Sequence, residues 1–136
     1  MKKIITLVML AVTVLALAGC GRSSEFGVVD MQRIQNESQF YKDINADLEK
    51  KTNEVKEAMI TASKSSKSQE EMQAIFKEKE GDLKLAQAKA KNKWQTGFNA
   101  AIQAVANEKK LGAVIYKEAV PQGGIDVTDD VLKNLK

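Results

Sequence analysis

The runs Phe26-Gly-Val-Val-Asp30 and Leu111-Gly-Ala-Val-Ile-Tyr116 decide the fold, because they are the densest β-branched runs after the N-terminal segment. Such residues favour strands, so each run predicts a short strand. From Val28 to Leu111 the chain has no proline and only two glycines, Gly81 and Gly97. A helical excursion of this length, which leaves a small sheet and returns to it, buries little of its own surface. We therefore expect the excursion to be the functional part.

The excursion reads as two antiparallel helical arms joined by one turn. In the first arm the apolar residues recur at helical spacing and predict one buried stripe: Phe40, Ile44, Leu48, Val55, Met59 and Ala62. The serine-rich run 63–68 is the one turn-like stretch of the excursion. Ser68, with Glu71 three residues later, has the form of a capping box that starts the second arm.

The second arm has a heptad-like seam with poor residues for a helix–helix contact. Its positions follow steps of three and four residues: Met72, Phe76, Lys79, Leu83, Ala86, Ala90, Trp94, Gly97 and Ala101, flanked by Ile75, Phe98 and Val105. A lysine, a glycine and several alanines stand where large apolar residues would pack. We therefore expect the hairpin to be held by its root, by partner chains or by whatever it binds.

The ends of the helical segments carry their own signals. Asp30 is placed to cap the helix that begins at Met31. After a turn at Gln122-Gly-Gly124, residues 125–127 read as a last extended piece. Thr128 is the expected cap of a terminal helix whose first turn holds two aspartates.

The first nineteen residues predict an export signal rather than part of the domain. A short basic start precedes an uncharged apolar stretch, and Leu17-Ala-Gly-Cys20 resembles a bacterial lipobox, in which Cys20 receives the lipid. Residues 20–25 then form a short lipidated tether. An uncleaved membrane anchor is one alternative, although the stretch is short for a bilayer span. An ordinary free thiol at Cys20 is the other, since a single cysteine forms no internal disulfide.

Charge and composition exclude several classes of function. The chain carries a net charge of +3, of which Lys2 and Lys3 supply two, so the segment from Cys20 onward is nearly neutral and gives no argument for nucleic acid. With no histidine and one cysteine, His-based triads, Cys–His dyads and the usual zinc sites are absent. The sequence therefore predicts no enzyme, no metal and no cofactor.

Two groups of residues near the hairpin turn are candidates for binding. Four apolar residues near the turn lie on both arms: Met59, Met72, Ile75 and Phe76. Packing between the arms explains most of them, and methionine-rich apolar surface also suits binding of varied partners. Lys64 and Lys67 lie at the turn. Four further lysines decorate the second arm: Lys84, Lys89, Lys91 and Lys93. A solvated face is the simpler reading of the lysines, and contact with acidic clients or anionic lipid is the alternative.

The layout and the C-terminal residues resemble the Skp/OmpH family of periplasmic chaperones. The resemblance is most specific in residues 102–116, a helix end running into a strand, and in Ile125-Asp-Val-Thr-Asp-Asp-Val-Leu-Lys-Asn-Leu135. The opening Val28-Val-Asp-Met-Gln-Arg-Ile34 is similar to the first strand and helix of the family. These signatures are structural and contain no catalytic residue.

The resemblance implies an α+β fold in which short strands from three subunits form a β body carrying three helical hairpins. Residues 26–136 would be the chaperone domain, with arms at about 31–110 and the β body from 26–30 and 111–136. Four residues are expected in the core of that body: Phe26, Val28, Val114 and Ile115. A homotrimer also suits the residues themselves, because so few short strands do not make a stable sheet alone.

The family implies an ATP-independent holdase for unfolded outer-membrane and envelope proteins. Cys20 departs from the soluble members and predicts a lipid-anchored protein of the periplasm, with the outer membrane favoured because Gly21 is not the aspartate of inner-membrane retention. The arms also look shorter than those of the best-known member. The alternative is a structural or adaptor envelope lipoprotein whose hairpin binds one defined partner.

Overall fold

The computed structural model describes residues 25–65 and 68–136. In chain order the elements are β1 (Phe26–Val29), α1 (Met31–Glu37), α2 (Gln39–Lys64), α3 (Gln69–Lys109), β2 (Ala113–Tyr116), a 3₁₀ turn (Lys117–Ala119), β3 (Ile125–Asp126) and α4 (Thr128–Asn134). The predicted signal at 1–19, the lipidation site Cys20 and the candidate Lys67 lie outside the described residues.

The three strands form one small parallel sheet in the order β2-β1-β3. Phe26 stands opposite Ala113 and Val29 opposite Tyr116, so all four residues of β1 pair with β2. The short β3 pairs only with Gly27 and Val28. Parallel neighbours need a long crossover, and the whole helical hairpin supplies it between β1 and β2. The predicted α+β fold with a long hairpin on a small sheet is confirmed.

The hairpin follows the predicted pattern closely. The buried residues of α2 are Ile44, Val55 and Ala62, all three on the predicted stripe. The helix ends at Lys64, and α3 begins after Ser68 with the predicted capping box, in which the Ser68 and Glu71 side chains each accept from the other's backbone N–H. With 41 residues, α3 is about 60 Å long at ~1.5 Å per residue.

The first arm is broken where a continuous helix was expected. Asp30 caps α1 as predicted, since its carboxylate accepts from the Arg33 backbone N–H at 3.0 Å. At Ser38 the backbone turns extended, and its hydroxyl accepts from the Tyr41 N–H at 3.2 Å to start α2. The break separates α1 from the arm and lets α1 place Ile34, which is fully buried, in the core beside the sheet.

That core lies at the root of the hairpin, where α1, α3 and α4 meet the sheet. Its buried members are Val29, Ile34, Phe98, Ala101, Val105, Val127, Val131 and Leu135. All three buried residues of α3 lie in its last twelve positions, 98–109. Trp94 packs beside this core against the rings of Phe40, Tyr41 and Phe98, as its seam position predicted. Burial, the main stabilising term, therefore concentrates at the root and thins towards the turn.

Polar contacts between β1, β3 and α4 complete the root and correct one prediction. Thr128 was expected to cap α4, but it is the first helical residue and no side chain caps the helix from Val127. Instead its hydroxyl donates to Asp126 at 2.6 Å and accepts from the Asp30 N–H at 3.0 Å. The Thr128 hydroxyl and then its backbone N–H stabilise the Asp126 carboxylate, which lowers the pKa of Asp126. The terminal helix is thereby tied to the sheet rather than capped.

The two glycines of α3 are expected to respond oppositely to the same substitution. A Cβ at Gly97 would lie 2.6 Å from two atoms of the Phe40 ring, whereas one at Gly81 meets nothing within 4 Å. Gly81→Ala should raise the free energy of unfolding by about 0.5–1 kcal/mol, because alanine favours a helix. Gly97→Ala should lower it by on the order of 1 kcal/mol, since overpacking outweighs that gain. Urea unfolding measures both, and equal stabilisation by the two variants would contradict this packing.

Candidate functional site

The turn end of the hairpin exposes apolar side chains on both arms. Met59, Met72 and Ile75 are half-buried, so they contribute to packing between the arms. Phe76, which the heptad pattern placed in the seam, has 36% of its surface exposed, while its neighbour Ile75 is turned inward. Ile60, at 43% exposure, belongs to the same surface and was not singled out from the sequence. Its one signal is that it falls outside the apolar stripe of α2.

The lysine candidates that lie within the described residues are exposed. Lys64 ends α2 and lies exposed at the turn. On α3, four lysines and no carboxylate stand between residues 83 and 107. The Lys84 ammonium lies 2.7 Å from the Glu80 carboxylate, a contact that lowers the pKa of Glu80. Lys93 reaches across to Asp47 on α2, at 4.0 Å. Exposed ion pairs of this kind contribute little stability. Because residues 83–107 carry four lysines and no carboxylate, this part of α3 presents a basic surface to solvent.

A groove opens between the two arms because the seam of α3 is made of small residues. It has a volume of about 210 Å³, and its apolar lining comes from Ile44, Leu48, Ala86 and Ala90. Lys89, Asp47 and Lys93 line it with charged groups. The sequence indicated a thin seam here, but the spacing of apolar residues alone did not reveal an open concavity.

The outer strands of the sheet form the other apolar surface of the root. Within the described residues, β2 and β3 each pair with β1 alone. Ile115 is 38% exposed, Tyr116 52% and Ile125 41%. Between β2 and α3 lies a second groove of about 370 Å³, lined in part by Ile102 and Val114. Unpaired strand edges with exposed apolar residues are a template for pairing with another chain.

The four residues expected in the β-body core differ in their burial within one chain. Val28 is buried, Phe26 and Val114 are half-buried, and Ile115 is exposed. Their expected role refers to an assembly of three chains, and it stays a prediction. Tyr116 and Ile125 join Ile115 on the exposed edges of the sheet, although the sequence pattern did not indicate either.

The described residues offer no constellation for catalysis or metal binding. No group of three or more histidine, cysteine, aspartate or glutamate side chains in residues 25–65 and 68–136 is placed to hold a metal ion. Over the same part of the chain, no helix has the length and apolar character needed to cross a bilayer. What the described residues offer is binding surface, which includes the two grooves described above and a set of exposed apolar side chains.

These features define a class of protein: a helical hairpin on a small, open-edged sheet, suited to binding other chains. A family model described as "Outer membrane protein (OmpH-like)" matches residues 61–135, more than half of the chain. The protein belongs to this family. It is a family of periplasmic chaperones, which gives a chaperone-type role in the cell envelope as the general class of function. No curated protein sequence matches the chain.

The matched segment covers part of the fold that the structure describes. The matched segment begins near the end of α2 and contains all of α3, β2, β3 and α4. The central strand β1 and the helix α1 precede it, and both nevertheless pack into the same root core. Residues that precede the matched segment therefore supply the central strand of the sheet and part of the core of the domain.

Proposed function

We propose that this protein is an ATP-independent holdase that binds unfolded outer-membrane and envelope proteins and keeps them from aggregating. One observation carries the proposal: the hairpin is long, its core cluster lies at its root, and it exposes apolar side chains along its length, as Ile60, Phe76 and Leu85 show. An unfolded chain buries its apolar residues against such a surface without one fixed binding geometry. The family as a whole binds unfolded outer-membrane proteins, which supports this assignment.

The working unit in this proposal is a homotrimer built through the sheet. Three strands of four, four and two residues make a small sheet whose two outer edges are open to further pairing. Both outer strands also carry exposed apolar residues, Ile115 and Tyr116 on β2 and Ile125 on β3. Pairing these edges between chains would cover them and join three hairpins at one root.

A lipid on Cys20 would hold this trimer at a membrane of the envelope, with the outer membrane favoured and the hairpins projecting away. In this proposal residues 1–19 are the signal, 20–25 the tether and 26–136 the chaperone domain. The lipobox-like sequence before Cys20 supports the anchor.

Replacing Cys20 by serine tests the anchor directly. A serine hydroxyl does not receive the thioether-linked lipid, so we expect the Cys20→Ser protein to move from the membrane fraction to the soluble periplasmic fraction. Immunoblots of the separated fractions measure the distribution of the protein. The control is Ser23→Ala, which replaces a neighbouring residue of the tether and should leave the distribution unchanged. Unchanged membrane fractionation of Cys20→Ser would refute the lipid anchor and leave the chaperone proposal standing.

Breadth of protection tests the holdase itself. We expect the chain from Gly21 onward, without ATP, to delay the aggregation of several unrelated outer-membrane proteins diluted from urea, as followed by light scattering. Protection should reach its maximum near one trimer per client. An adaptor for one defined partner would protect at most that partner, and protection of none would overturn the chaperone proposal.

A further inference from the structure

The groove between the arms is a partly enclosed apolar feature of the functional surface. Ile44 and Leu48 of α2 face Ala86 and Ala90 of α3 across it. Ile44 is 4% exposed, so the α2 side is well formed, whereas both alanines are only half-buried. The gap exists because each alanine stands at a seam position that a larger side chain would fill.

The size of the groove fits one aromatic side chain. An apolar cavity of about 150 Å³ is known to hold a benzene molecule, and this groove measures about 210 Å³. The two volumes are comparable, so the groove has room for a phenylalanine ring of a passing chain. Unfolded outer-membrane strands alternate apolar and polar residues and carry aromatic residues near their ends, so they present such rings at intervals.

The charged side chains that line the groove add a preference for what stands next to the ring. Asp47 and Lys93 form an exposed ion pair at 4.0 Å, so each has an opposite charge beside it at the edge of the groove. Lys89 has no carboxylate within 4.0 Å among the described residues, and it lines the same groove. An ammonium at the edge of an apolar pocket favours a carboxylate on the incoming chain, and it also interacts favourably with an aromatic face.

We propose that this groove is a client subsite that takes one aromatic side chain of an extended, unfolded segment, with a neighbouring carboxylate of that segment held by Lys89. The proposal rests on the holdase function and names the chemistry that the hairpin selects. Each hairpin carries one such subsite, so a trimer holds a client at three weak, separate points. Affinity then comes from multiple attachment rather than from one tight site.

Methyl NMR of the full chain in lipid nanodiscs tests the proposal. The probe is a blocked glycine–serine peptide that contains one phenylalanine followed by one aspartate. We expect ring-current shifts at the methyl groups of Ala86, Ala90 and Ile44 that saturate with peptide, and none at Ala88, which is exposed on the same helix. The same peptide with alanine in place of phenylalanine should produce none of these shifts. Shifts confined to Ile60 and Ile75 would overturn the proposal.

Filling the groove provides matched variants. Ala86→Leu combined with Ala90→Leu should weaken the peptide about tenfold or more, since burying one large apolar side chain is worth at least that much. Ala88→Leu adds the same atoms to an exposed position and should leave binding unchanged. The proposal is wrong if the filled variant binds the peptide as well as the parent does. It is also wrong if filling the groove changes the sedimentation mass, because the groove of the parent would then be occupied by a second copy of the chain.

Lys89→Gln should weaken the aspartate-containing peptide several-fold and should weaken the same peptide with asparagine in place of aspartate much less. Lys91→Gln should change neither. Equal binding of both peptides by the parent would overturn the role of Lys89.

The aggregation assay distinguishes failure of the subsite from failure of the holdase function. A parent chain that protects clients while its groove methyls stay unperturbed refutes the subsite alone. A parent that protects no client refutes the holdase, whatever the groove binds.

Discussion

Replacing Ile34 by alanine is expected to lower the free energy of unfolding by about 2–5 kcal/mol, the usual cost of removing a large side chain from a closed core. Ile34 is fully buried, and it packs with residues from β1, α3 and α4. Because the arms bury little apolar surface, the core at the root supplies most of the stability of the chain. The loss caused by a cavity in that core is therefore not offset by a second core elsewhere. The variant should unfold at a lower urea concentration and lose part of its helical circular dichroism at physiological temperature.

Ile60→Ala is the matched control for this prediction. It removes the same atoms from a residue that is 43% exposed near the hairpin turn, where surface changes are usually within about 0.5 kcal/mol. A loss at Ile60 as large as the loss at Ile34 would show that the arms, rather than the root, hold the fold together.

Local signals predicted most of the hairpin. The stripe of α2, the reversal before Ser68 and its capping box all depend on residues within one or two helical turns of each other, and all three are confirmed. The same holds for the Asp30 cap, where acceptor and donor are three residues apart. Features of this kind follow from helix geometry, which the sequence alone determines.

The features that depend on distant residues were missed. Thr128 joins Asp30 across 98 positions of the chain, so nothing near it in the sequence distinguishes that role from a helix cap. The break at Ser38 serves the packing of Ile34 against elements that come much later. In both cases the tertiary contact overrides a reasonable local reading.

The site was predicted less well than the fold, for a geometric reason. Adjacent helical residues point 100° apart, so a thin seam decides weakly between Ile75 and Phe76, and the structure turns Ile75 inward. The groove at Ala86 and Ala90 depends on how far the two arms stand apart, which small residues leave undetermined. The spacing of apolar residues along the two arms therefore predicted the helices but did not predict the groove between them.

Replacing Ile115 by lysine is expected to convert the proposed trimer into single chains. Ile115 lies on the outer strand β2, opposite Val28 in the register, and is 38% exposed in the single chain. In a separate chain the lysine ammonium at this position remains in contact with water. We therefore expect the variant to fold and to keep the helical circular dichroism of the parent. In an assembly that covers the edge of β2, the same ammonium would be buried without a partner, at a cost of several kcal/mol per interface.

Sedimentation equilibrium at micromolar concentration measures the outcome, with Ile60→Lys as the control. That residue has a similar exposure, 43%, but lies on the arm, so its substitution should leave the mass of three chains unchanged. We expect Ile115→Lys to lose most of its protection of aggregating clients as well, because three weak subsites act together only while the root joins them. If Ile115→Lys kept the parent's mass, the edge of β2 would not be the interface. A parent chain that already sedimented as a monomer would refute the trimer itself, and the exposed strand edges would then be surfaces for a different partner.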